Sequence, residues 1–79
     1  MATIPSPEEF ARKILAIFIE FNLRAGECLP QRTLVGIWSN KGLRFDDLNA
    51  GIEYAVAQGW IERGENHVYF LTEKGFSEA

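Results

Sequence analysis

Cys28 and His67 are the one cysteine and the one histidine among 79 residues. A single thiol cannot close an internal disulfide, and a thiol with one imidazole falls short of the three or four ligands that hold zinc. No Ser–His pairing and no glycine-rich phosphate cradle occurs, and the carboxylates are scattered as solvated charge. The sequence therefore predicts no enzyme, no metal and no cofactor. His67 itself reads as a solvated residue in a turn. What remains is binding chemistry, carried by cations, amides and exposed apolar side chains.

Eight Lys and Arg against eleven Asp and Glu give a net charge of −3, so no global positive field draws a polyanion to this chain. With 47% hydrophobic residues, six Phe and two Trp, the composition is that of a folded domain. A chain this short buries only roughly 60–65% of its unfolded surface, which leaves room for one core and one domain spanning residues 1–79. No run of 18 apolar residues occurs, and "MATIPSPEEF" lacks a basic segment leading into an apolar one. The expectation is a cytoplasmic protein without a membrane partner.

Patterning then supplies the elements. "SPEEF" offers Ser6 as a cap, Pro7 in the first helical position and Glu8 and Glu9 in the first turn, predicting a helix from about Pro7 to Leu23. Phe10, Ile14, Ile17, Phe18 and Phe21 share one face, and Ala11, Leu15 and Ile19 widen the apolar arc beyond an ordinary surface helix. Glu27 to Leu29 suit a short strand. A second helix spans about residues 31–39, with Leu34, Ile37 and Trp38 inward, and a third spans about 45–58, with Phe45, Leu48, Ile52, Ala55 and Val56 inward. From Trp60 to Thr72 the sequence alternates around "GEN" as a two-stranded hairpin, with Ile61, Tyr69 and Leu71 on its inner face. The fold class is α+β: three helices, a C-terminal hairpin and a possible third strand.

The stretch "DLNAGIEYAVAQGWIERGENHVYFLTEKG", in that element order, resembles the winged helix-turn-helix superfamily, with an ending similar to PadR-like and MarR-like regulators. Its markers are Leu48, Ile52 and Val56, then Gly59, Trp60 and Ile61, then Tyr69, Leu71, Thr72 and Gly75. The resemblance implies a small transcriptional regulator that binds double-stranded DNA, the third helix entering the major groove and the hairpin serving as the wing. It makes Asn49 and Tyr54 candidate readers, Arg32, Lys41, Arg44 and Arg63 candidate phosphate contacts, and Asn66 and His67 donors at the wing tip. Yet residues 45–58 hold three acids, Asp46, Asp47 and Glu53, and no base, which opposes a phosphate-rich surface.

A protein-interaction module is the alternative. Leu15 and Ile19 on the first helix, and Trp60, Val68 and Phe70 on the outer face of the hairpin, are the candidate partner surface, for another protein or for a homodimer. In either case the third helix packs through Ile52. Ile52→Ala is expected to lower unfolding free energy by about 2–5 kcal/mol in a denaturant titration; a loss under about 1 kcal/mol would mean that the helix is phased differently.

Overall fold

Ser6 opens helix α1 (Pro7–Glu20) as its sequence suggests: its hydroxyl accepts from the Glu9 amide at 3.4 Å, Pro7 needs no amide partner, and Glu8 and Glu9 face the positive end of the helix dipole. The computed structural model describes residues 6–79. Strand β1 (Cys28–Pro30), helices α2 (Gln31–Asn40) and α3 (Phe45–Ala57), strands β2 (Ile61–Arg63) and β3 (Val68–Leu71), and helix α4 (Glu73–Glu78) follow.

The three longer helices end by one device. After α1, Asn22 takes a left-handed φ of 58°, its amide donates to the Ile19 carbonyl and the Leu23 amide donates to Phe18. Gly42 and Leu43 repeat this after α2, bonding Ser39 and Trp38, and Gly59 and Trp60 repeat it after α3, bonding Val56 and Ala55. Each pair of bonds satisfies carbonyls that the helix leaves open, and each turns an apolar residue back toward the core. Leu23 and Leu43 pack against that core and Trp60 enters it. Helix α1 therefore stops at Glu20, short of the expected Leu23, because Asn22 tolerates the left-handed conformation.

The sheet is antiparallel with strand order β1-β3-β2. Leu29 stands opposite Tyr69 and Ile61 opposite Leu71, and all four are buried. The third strand is thus present, one residue beyond the expected Glu27–Leu29. Helix packing is most extensive between α1 and α3. There Gly51 meets Phe10 so closely that a Cβ would come within 2.9 Å of the Phe10 carbonyl carbon. The core includes Phe10, Ile14, Ile17, Phe18, Leu34, Trp38, Leu48, Ile52, Ala55, Ile61, Tyr69 and Leu71, all foreseen as inward, and it also takes in Leu15 and Trp60, which the sequence had assigned to a partner surface.

Several expectations are corrected. Phe21 and Phe45 are 44% and 52% exposed: Phe21 caps α1 where the chain leaves its helical path, and Phe45 opens α3 beyond the edge of the core. Val56 is only partly buried. There are four helices among the described residues, not three. "EKGFSE" forms α4 because the Thr72 hydroxyl accepts from the Gly75 amide at 3.0 Å, and because Gly75 lets the helix touch the Trp60 backbone, where any Cβ would collide with the carbonyl.

Two glycine substitutions test this packing. Gly51→Ala is expected to destabilise the fold by about 1–3 kcal/mol in a denaturant titration, because overpacking against Phe10 outweighs the better helix propensity of alanine. Gly36→Ala, with nothing within 4 Å of the new methyl, is expected to stabilise it by up to about 1 kcal/mol.

Candidate nucleic-acid interface

Because Leu48, Gly51, Ile52 and Ala55 face inward, helical geometry turns Asp46, Asn49, Ala50, Glu53 and Ala57 outward on α3. Asn49 is exposed at the edge of this face. Asp46 and Asp47 have a local purpose. The N-cap of α3 is Arg44, which makes no side-chain cap bond, so two carboxylates in the first turn answer the positive end of the helix. The face as a whole remains acidic, with no Lys or Arg from Phe45 to Gln58.

The candidate cations divide. Arg32 is the second residue of α2 and exposed, and it lines a shallow surface depression with Gln31, Thr33, Asn66 and His67. This grouping is built by the hairpin turn, where Asn66 and His67 both adopt left-handed φ values, 60° and 57°. The His67 carbonyl accepts from the Gln31 amide at 2.8 Å, capping α2 where Pro30 offers no side chain to do so. Arg63 lies on the same hairpin, opposite Tyr69, exposed at the end of β2. Arg44 is exposed at the start of α3, its backbone fixed by the Trp38 indole, which donates to the Arg44 carbonyl at 2.8 Å.

Lys41 and Tyr54 do not join this set. Lys41 follows the far end of α2, about 13 Å along the axis from Arg32, and its Nζ lies 3.6 Å from a Glu20 carboxylate oxygen. Tyr54 turns toward α1: its hydroxyl donates to Glu8 at 3.4 Å and its ring meets Trp60 edge to face, with centroids 5.7 Å apart. It is half-buried and belongs to packing rather than to the outward face.

The partner-surface candidates do not form one patch either. Leu15 is fully buried, while Ile19 is 39% exposed, so the wide arc on α1 is core along most of its length. Trp60 is buried, with the Arg12 guanidinium 5.1 Å from its ring centroid. Val68 and Phe70 are half-buried and fold over their own turn, where a Cβ on Gly64 would strike the Phe70 ring. A surface that the sequence did not single out lies instead around Phe76 of α4, which is 45% exposed and lines a depression with Ile19 and Leu23. Its signal was the cap pattern Thr72 to Gly75, which makes "EKGFSE" a helix and gives Phe76 a fixed direction.

Among the described residues no group of three or more His, Cys, Asp or Glu could hold a metal, and no helix is long and apolar enough to cross a membrane. The sequence matches no protein-family model and no curated protein.

The Tyr54 phenol is held above its ordinary value of 10.0, first by desolvation and then by the Glu8 carboxylate beside it, with Arg12 opposing. A raised folded-state value contributes stability that is present below the unfolded value and is lost as pH rises through the folded one. Ultraviolet titration, with Tyr54→Phe as the blank, is expected to place this phenol above 10.0, and Glu8→Gln is expected to lower it.

Proposed function

We propose that the chain is a winged helix-turn-helix domain that docks on duplex DNA, a small cytoplasmic regulator of transcription and not an enzyme. The observation that carries this reading is the element order α1-β1-α2-α3-β2-β3 with sheet order β1-β3-β2. It leaves one face of α3 outward and fastens the hairpin turn to the first residue of α2. In this reading β2 and β3 form the wing. Arg32, Arg44 and Arg63 neutralise phosphates, Asn66 and His67 donate from the wing tip, and Asn49 reads base edges from α3. Glu53 on that face accepts from a cytosine amino group.

A second reading is favoured by the charge of α3. Three acids without a base, with Lys41 beside Glu20 instead of on this surface, suit a winged helix that binds protein and excludes nucleic acid.

A salt-dependent titration with duplex DNA separates the two. Three phosphate contacts give a log–log slope of about −2 to −3, and removing Arg32, Arg44 or Arg63 shifts it by about 1 each. Lys41→Ala is expected to leave the slope unchanged. If the wild type does not bind even at ~20 mM salt, where screening is weak, and Asp46→Asn with Asp47→Asn restores binding, the DNA reading fails and the protein-binding one stands.

A further inference from the structure

Most side chains of α3 are used by the fold itself. Leu48, Gly51, Ile52 and Ala55 are buried, Val56 packs against the core, Tyr54 is held by Glu8 and Trp60, and Asp46 and Asp47 answer the helix dipole. Apart from two alanines, that leaves Phe45, Asn49 and Glu53. Phe45 is 52% exposed, and Asn49 and Glu53 are exposed as well. Among the described residues neither Asn49 nor Glu53 makes a side-chain hydrogen bond or a salt bridge. Spaced four positions apart, the three form one row on the helix, each about 6 Å along the axis from the last. The row runs obliquely, from beside the core at Phe45 through the edge at Asn49 to the outward face at Glu53.

Each member of the row matches a different base edge. In the major groove an aromatic side chain contacts the thymine methyl, an Asn amide pairs with adenine N6 and N7, and a carboxylate accepts from the cytosine amino group. Guanine O6 and N7 call for a bidentate Arg or Lys, and α3 has neither. The spacing of about 6 Å is close to two base-pair rises of about 3.4 Å each. Ala50 and Ala57, one turn to either side of Glu53, leave the helix surface low around its carboxylate. Taking α3 as the groove helix of the DNA reading, on which this rests, we propose that Phe45, Asn49 and Glu53 are the specificity-determining row, selecting a T·A, an A·T and a C·G pair at successive steps of two base pairs. The phosphates are left to Arg32, Arg44 and Arg63, all outside α3.

The test is enrichment of duplexes from a randomised library by the full chain at ~50 mM salt, followed by affinity measurements on the enriched duplex. Three specified pairs at that spacing are expected. Replacing the selected thymine by uracil, which lacks only the methyl, is expected to weaken the unsubstituted protein by ~5-fold or more, and Phe45→Ala to bind the two duplexes within ~2-fold of each other. Asn49→Ala is expected to relax preference at the A·T pair alone and Glu53→Ala at the C·G pair alone, each with an unchanged circular dichroism spectrum. The uracil comparison needs no variant and so does not depend on how Phe45→Ala folds. Indifference to uracil, a different set of selected pairs, or preferences that survive all three Ala variants would overturn the row while binding that still responds to Arg32, Arg44 and Arg63 keeps the DNA reading. Absence of any binding at ~20 mM salt, where screening is weak, would remove both.

Discussion

Helices α1 and α3 meet at Gly51 with no room for a side chain, and the rest of the domain is arranged around that contact. Gly in a helix interior costs about 1 kcal/mol relative to Ala. Here the cost is offset by bringing the α3 backbone onto Phe10 and Ile14. The contact also fixes the roll of α3. With Gly51 inward, Leu48, Ile52 and Ala55 must be inward too, and Asn49 and Glu53 must be outward. The charge that α3 shows to a partner is therefore set by packing on its opposite side.

A second fastening fixes the hairpin and the end of the chain together. Gly59 turns left-handed after α3 and delivers Trp60 to the core, where Tyr54 meets its ring and Arg12 lies over it. The Trp60 backbone then receives α4: the Thr72 hydroxyl lies 2.8 Å from the Trp60 carbonyl, and Gly75 rests against the same peptide. Arg12 also reaches the Glu78 carboxylate at 3.4 Å and Glu8 at 3.3 Å. Exposed pairs of this kind contribute about 0–1 kcal/mol each, so burial of Trp60 dominates and the ions chiefly orient α4. At the other end of the sheet, Gly26 and Leu71 bond across to Leu71 and Glu27 and extend the pairing of β1 with β3. The position of the hairpin relative to α2 follows from these clamps.

Much of the fold was legible because its signals are local. Ser6 and Pro7 marked the start of α1, Gly59 marked the end of α3, and period-2 alternation placed Ile61, Tyr69 and Leu71 inward. What escaped depended on tertiary context. Phe45 shares a helical phase with Ile52, yet it sits at the first position of α3, past the reach of the core. Leu15 and Ile19 share a stripe, but α1 is flanked on both sides only up to about Phe18. Trp60 precedes β2 and so does not obey strand alternation. The six residues of α4 are too few to show a period. Of the candidate site, the grouping of Arg32 with Asn66 and His67 required the bond between the His67 carbonyl and the Gln31 amide, which joins residues 36 positions apart and leaves no trace in composition.

The acids on α3 do not all speak about a partner. Asp46 and Asp47 sit in the first turn of a helix whose N-cap makes no side-chain bond, and the dipole effect that they satisfy fades within that turn. Their presence is accounted for by the helix itself. Glu53 lies two turns further along, outward, exposed and in no salt bridge among the described residues. Neither the dipole nor an ion pair accounts for it, and it stands at the centre of the face that packing turns toward a partner. A duplex would ask this carboxylate to find a cytosine amino group among phosphates, and a protein would ask only for a cation. The chemistry of the surface thus narrows to one side chain, and the two readings differ in what must stand opposite Glu53.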